Sequence, residues 1–199
     1  VLDASNEFIW FTQSNDWGQL ELRDLKTGRL KRTLTAADRS VRDIIDVDVQ
    51  QRALYYTSGG RDDDDDPYFT TIWRVGLDSS RARRLSPADA VHSTTLLWPG
   101  QTSTAGLSSR SALSPNGRWL VDTHSTLTVP PISTLRDART GRAIATLERA
   151  DASAVLAAGW RSPTRVKLIA ADGDTPIWAT VYFPPDMQAD QRYPVIDAI

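Results

Sequence analysis

Leu22-Arg23-Asp24-Leu25-Lys26-Thr27-Gly28-Arg29-Leu30 returns with few changes as Leu135-Arg136-Asp137-Ala138-Arg139-Thr140-Gly141-Arg142-Ala143. Each copy reads as a strand, a tight turn at Thr-Gly and a second strand, because glycine reaches the positive φ that such a turn demands. A degenerate third copy lies between them, at Val75-Gly76-Leu77-Asp78-Ser79-Ser80-Arg81-Ala82-Arg83-Arg84-Leu85. The copies recur every 50–60 residues or so, roughly the longer periods of propeller blades.

A second kind of strand pair precedes these hairpins. Ile44 to Val49 turns at Gln50-Gln51 into Ala53 to Ser58, and Ser111-Ala112-Leu113 turns at Ser114-Pro115-Asn116-Gly117 into Trp119 to Ser125. Two hairpins per repeat make a four-stranded antiparallel sheet, which is a propeller blade. Elsewhere too, short β-branched and aromatic runs are divided by Gly, Pro, Asp and Asn, and helical periodicity is weak. The expected fold is all-β, with about three four-stranded antiparallel β-propeller blades at about 1–40, 41–90 and 91–150. The first begins incomplete near Phe8. A further hairpin joins Val166–Ala170 to Ile177–Tyr182 within 151–199. A generic β-sandwich shares the short strands and turns; the ordered repeat favours the propeller.

Composition narrows the function classes. The 199 residues are 40% hydrophobic and 24% charged, enough for a sizeable core. A net charge of -2 gives no electrostatic reason to expect nucleic acid or an anionic membrane as partner. With no cysteine, disulfide scaffolds, thiolate zinc sites and a cysteine nucleophile are excluded. No apolar run approaches the roughly 20 residues of a transmembrane helix, and Val1-Leu2-Asp3-Ala4-Ser5 is not a signal peptide. Both ends read as cuts through a longer chain.

Three stretches are more specific than pattern. Ser111 to Ser125, with Pro130-Pro131 and Leu135-Arg136-Asp137, resembles the last propeller blades of the dipeptidyl peptidase IV family. Val41 to Tyr56, then Ile72-Trp73-Arg74-Val75 and Arg84-Leu85-Ser86, resembles the preceding blade. Ala170-Ala171-Asp172-Gly173, Trp178 to Pro185 and Tyr193-Pro194-Val195-Ile196-Asp197 are similar to the segment where members leave the propeller for an α/β-hydrolase domain. The ordered set identifies the chain as a member of the prolyl oligopeptidase-type serine peptidases, in the C-terminal part of the N-terminal β-propeller. On that resemblance, 151–199 is the propeller exit and the first strands of the catalytic domain.

The resemblance implies a parent serine exopeptidase that releases dipeptides after Pro or Ala from a peptide's N terminus. Its propeller restricts access to the active site and supplies an acidic pair for the substrate's amino group. Its hydrolase domain supplies a Ser-Asp-His triad, in which histidine takes the serine proton and the carboxylate orients the imidazole. None of this machinery transfers to the present residues. No Gly-x-Ser-x-Gly elbow occurs. Ser108 and Ser109 follow Gly106 without a closing glycine, and Glu7, Glu21 and Glu148 form no Glu-Glu pair. By the resemblance, the triad lies beyond Ile199 and the acidic pair before Val1. The expected partners are peptide substrates through the parent enzyme and the chain's own downstream hydrolase domain. The implied compartment is periplasmic, secreted or membrane-anchored. The alternatives are a non-catalytic propeller platform and the propeller of an oligopeptidase or acylaminoacyl-peptidase.

No catalytic residue, cofactor site or metal site is expected within the chain. His92 and His124 are the only histidines; His124, inside a strand without a positioned partner, reads as a satisfied or surface residue. Asp62 to Asp66 read as a solvated hairpin tip rather than a calcium site, since successive aspartates cannot all face one ion. Asp172-Gly173-Asp174 reads as a turn rather than a metal loop. Trp10, Trp73 and Trp119 occupy equivalent strand positions and are expected to pack between blades, whereas Trp17 is placed in a surface loop. Arg81, Arg83 and Arg84 read as charges that protect an edge strand. Three blades cannot close a ring, and their uncovered apolar faces invite self-association. Light scattering should show a dimer or a concentration-dependent oligomer; a strict monomer over a wide concentration range would contradict that expectation.

Overall fold

The structure is a computed structural model that describes residues 1–59, 66–79, 81–93, 112–188 and 190–197. The chain divides into two compact units, Val1–Thr126 with Pro131–Ala150, and Leu127–Pro130 with Asp151–Ile199.

The first unit holds three antiparallel sheets in chain order. The first joins β1 (Glu7–Asn15), β2 (Trp17–Asp24) and β3 (Leu30–Thr33). The second joins β4 (Ser40–Asp48), β5 (Ala53–Gly59), β6 (Thr70–Gly76) and β7 (Ala82–Arg84). The third joins β8 (Val91–Ser93), β9 (Trp119–Ser125), β10 (Ile132–Asp137) and β11 (Ala143–Arg149). Two sheets of four sequential strands, preceded by one of three, are the blade pattern that the repeat predicts.

Burial follows the blade geometry. Every residue of β5 is buried, whereas β3, β7 and β11 are exposed throughout. Alternation along β5 sends Leu54 and Tyr56 to one side and Ala53 and Tyr55 to the other. The first side packs with Leu20, Leu22 and Leu34 of the first sheet and with Val75. The second packs with Ile72, Leu85, and Leu113 and Leu120 of the third sheet. The middle sheet is thus a wall shared by two cores. Arg83 and Arg84 lie on the exposed edge strand β7, where unpaired backbone needs protection from sheet-to-sheet pairing.

The third sheet departs from the expected strand at Ser111-Ala112-Leu113. Ser111 lies outside the described residues, and Leu113 makes only an isolated bridge to Leu120. The first strand is Val91–Ser93 instead, opposite Ser125 to Thr123 of β9. The seven-residue β9 accommodates both partners, one at each end of its edge.

The repeated turns are built alike. Asp24 Oδ1 accepts hydrogen bonds from the backbone N–H of Lys26 and Thr27 and from the Thr27 hydroxyl. Asp137 Oδ1 does the same with Arg139 and Thr140. Those donors hold both carboxyls below the usual range. Gly28 and Gly141 take φ of 69° and 78°. Their surroundings differ: none of the described residues lies within 4 Å of a Cβ built at Gly28, whereas one at Gly141 would meet Leu85 Cα at 2.6 Å. The second turn is therefore pressed against the end of the middle sheet.

An ion-pair chain also joins the first two sheets. Buried Glu7 pairs with Lys31 and, at 2.9 Å, with Arg52; Arg52 in turn grips Asp78 through Nε at 2.7 Å and Nη2 at 2.8 Å. Burial opposes the Glu7 charge, but its partners hold the carboxyl below its ordinary range.

The second unit, taken by itself, contains the short helix α1 (Ser153–Ala157) and the hairpin of β12 (Thr164–Ile169) and β13 (Pro176–Val181). Its register runs from Thr164 opposite Val181 to Ile169 opposite Pro176. Asp172-Gly173-Asp174 lies in the connecting turn, where the Thr175 hydroxyl and backbone N–H groups hold the Asp172 carboxyl at about 2.

Equal alanine substitutions should separate the two glycine turns. Gly28→Ala meets only positive-φ strain, about 1 kcal/mol. Gly141→Ala adds a clash with the Leu85 backbone and should cost about 1–3 kcal/mol more. Urea denaturation of the two variants measures this, and equal losses would refute the docking role of Gly141.

Candidate functional site

The densest group of chemistry-bearing side chains among the described residues lies on one face of the third sheet. His92 of β8 stands directly opposite His124 of β9, and Asp122 precedes His124 by two positions. Period-two geometry therefore brings all three side chains to the same face. Arg136 of β10 reaches the group from the next strand, two pairs beyond the Asp122–Thr134 opposition and so on the same face.

Asp122 is completely buried, and its carboxylate is the hub. His92 Nδ1 lies 2.9 Å from Oδ1 and 3.0 Å from Oδ2, and Arg136 Nε donates to Oδ2 at 2.7 Å. Burial raises the cost of the Asp122 charge, but His92 and Arg136 hold its carboxyl below the usual range. Arg136 is fixed further by Nη1, which donates to the Gly141 carbonyl at 3.1 Å. The equivalent Arg23 Nη1 donates to the Gly28 carbonyl at 2.9 Å. In the first repeat that arginine pairs with Glu21 and is partly exposed, whereas in the third it has become part of a buried cluster.

The two imidazoles stack with centroids 5.1 Å apart and planes 26° apart. His92 is almost fully buried, and its Nε2 lies 3.4 Å from exposed Asp89. His124 Nδ1 is buried without a hydrogen-bond partner among the described residues; the Asp122 Oδ2 atom stands 3.9 Å away. Burial pushes the His124 imidazole below its ordinary pKa, with Asp122 acting in the opposite sense. One donor atom from each of His92, Asp122 and His124 can be chosen so that all three lie within 4.8 Å of one another.

The expectation for His124 needs correction. Its Nδ1 is neither satisfied nor on the surface, and Asp122 is a positioned neighbour. The readable signal was Asp122-Thr123-His124, since an Asp-x-His on a strand places both groups on one face. His92, thirty positions before Asp122, joins them only through the pairing of β8 with β9.

The tryptophan expectation also changes. Trp10 is 52% exposed and meets Phe8 edge to face at 6.2 Å, so it is not core. Trp73 does pack between sheets, stacked on Tyr56 at 6.5 Å with the Arg39 guanidinium 5.1 Å from its ring. Trp119 is half-buried beneath Arg118 at 4.8 Å. Trp17 is on the surface, but it opens β2 instead of lying in a loop. Glu7 and Glu21 are each committed to an ion pair, and Glu148 is exposed on β11. Of Asp62 to Asp66 only Asp66 is described, accepting the Tyr68 N–H at 3.0 Å; Asp62 to Asp65, Gly106, Ser108 and Ser109 lie outside the described residues.

Comparison with known proteins bears on the fold. A family model described as the dipeptidyl peptidase IV (DPP IV) N-terminal region matches residues 1–131. The crystal structure of Porphyromonas gingivalis dipeptidyl peptidase 4 is 16% identical with a TM-score of 0.68, covering 94% of this chain and 24% of that one. A structure described as a dipeptidyl aminopeptidase IV from Bacteroides ovatus is 18% identical with a TM-score of 0.67, covering 95% of this chain and 26% of that one. The chain spans about a quarter of each of these solved proteins.

Neutralising the hub should unfold more than a local contact. Asp122→Asn leaves the Arg136 guanidinium buried without a counter-charge, a loss of about 3–5 kcal/mol. Asp89→Asn, at the exposed end of the cluster, should cost under about 1 kcal/mol. Denaturant midpoints of the two variants test the contrast, and comparable values would show that Asp122 is not the hub.

Proposed function

The chain belongs to the family of the dipeptidyl peptidase IV N-terminal region, and from that premise we propose that it is propeller from a serine exopeptidase that releases dipeptides after Pro or Ala. In this reading the blades frame the chamber and restrict which peptides reach the active site, while the nucleophile, its histidine and its carboxylate come from elsewhere in the parent. The observation that carries the reading is the family match over residues 1–131 together with blade-like sheets in chain order.

The shape of the middle sheet suits the role. Its outer strand β7 is exposed, its second strand β5 is buried on both faces, and its opposite edge β4 leaves Arg42, Asp43 and Ile44 exposed. An edge that is wet on the inner side is what a blade needs if it borders a water-filled passage. The residues themselves supply no nucleophile elbow. The hydrogen bonds that hold the histidine–carboxylate cluster run among His92, Asp122 and Arg136, so its carboxylate is committed to an arginine.

The chain alone is therefore inactive. A Gly-Pro chromogenic substrate assayed with the purified chain and with the longer parent protein should turn over only with the parent. Turnover by the chain alone would overturn the reading, as would a parent that folds and does not cleave dipeptides.

A further inference from the structure

We propose that His92, Asp122 and His124 form a binding site for a borderline divalent cation, with Zn²⁺ the natural occupant. Two imidazole nitrogens and one carboxylate oxygen make the three-ligand set that zinc accepts, and they disfavour Ca²⁺ and Mg²⁺, which take all-oxygen shells. Both histidines of the chain sit in this one cluster, stacked face to face, and there is no cysteine to compete for a soft ion.

The donor separations all lie within 4.8 Å, close enough for one ion to reach all three residues. Tetrahedral zinc with ligands at about 2.1 Å holds its donors about 3.3–3.5 Å apart. The Asp122 carboxylate lies 2.9–3.0 Å from His92 Nδ1 and 3.9 Å from His124 Nδ1, on either side of that value. A gap of 3.9 Å is too wide for a hydrogen bond, and it is short of the roughly 4.5 Å that a bridging water spans. His124 Nδ1 therefore has no satisfactory neighbour in either tautomer. As a lone pair it faces a carboxylate, and as an N–H it falls short of one. A cation between the two groups removes that conflict.

The backbone fixes the arrangement. His92 and His124 are paired across two strands, and Asp122 shares their face, so the donors are held before any ion arrives. Arg136 donates to Oδ2, the oxygen that stands 3.9 Å from His124 Nδ1, and fixes the carboxylate's orientation as outer partners of metal ligands do. Its positive charge also weakens the site for a cation. The His124 side chain is 23% exposed and gives the ion a way in, leaving the fourth position for water. Coordination through His92 Nδ1 moves the single ring proton of a neutral imidazole to Nε2, which faces Asp89 Oδ1 at 3.4 Å, so the exchange needs no proton to leave the site.

The test uses metal alone on tag-free protein. Zinc titrated in a calorimeter should bind one-to-one with saturable heats. Co²⁺ should give the visible absorption of a low-coordinate nitrogen and oxygen site. His124→Phe keeps the ring volume and the stack on His92, removes the donor, and should weaken zinc binding at least tenfold, with thermal melting used to check folding. Wild-type protein that gives neither binding heat nor a cobalt spectrum overturns the site, and so does a folded His124→Phe variant that binds zinc undiminished. If that variant does not fold, the wild-type cobalt spectrum decides.

Discussion

The constraint on which the rest of the first unit depends is the burial of β5 on both faces. Ala53-Leu54-Tyr55-Tyr56-Thr57 must satisfy two cores at once, since Leu54 and Tyr56 face the first sheet while Ala53 and Tyr55 face the third. A one-residue slip of β5 would exchange those two sets of side chains. It would also misplace Ala53 against Gly76 and Thr57 against Ile72 in the adjoining ladder. The exposed outer strands tolerate polar residues because β5 and its neighbours already hold the apolar contacts. The ion pairs from Glu7 to Arg52 and Asp78 add direction to that packing, joining charges from the first two sheets where apolar contact alone specifies little.

Much of this was legible in the amino-acid order. The Asp-x-x-Thr-Gly turns announce themselves because their chemistry is local: one aspartate oxygen serves three donors within three residues. The β5 run is legible for a similar reason, since a short apolar and aromatic stretch between turn residues signals a buried strand. The first strand of the third sheet was not legible. Val91-His92-Ser93 is too short and too mixed to show a period, and only its pairing with β9 makes it a strand.

The histidine cluster shows the same division. Asp122 and His124 share a face by simple alternation, which a sequence reveals. His92 arrives through strand pairing, and Arg136 through the strand on the other side, which a sequence does not reveal. Trp10 failed for a different reason. Position within a repeat indicates which way a side chain points, but not whether a neighbour covers it, and Trp10 remains largely open while Trp73 is stacked and capped.

The self-contained turns at Asp24–Gly28 and Asp137–Gly141 bear on the order in which the chain can assemble. Their hydrogen bonds close within five residues, whereas the contacts of β5 and of His92 join segments far apart in the chain. Short closures cost little chain entropy and form early; long ones are slow. The outer hairpins β2–β3 and β10–β11 can therefore set their registers while the remainder is still open. Each then offers a prepared template, and Gly141 reaches the backbone of Leu85 only when the neighbouring sheets close on one another. Speed of local ordering and tightness of final docking are in this way assigned to different atoms of the same turn.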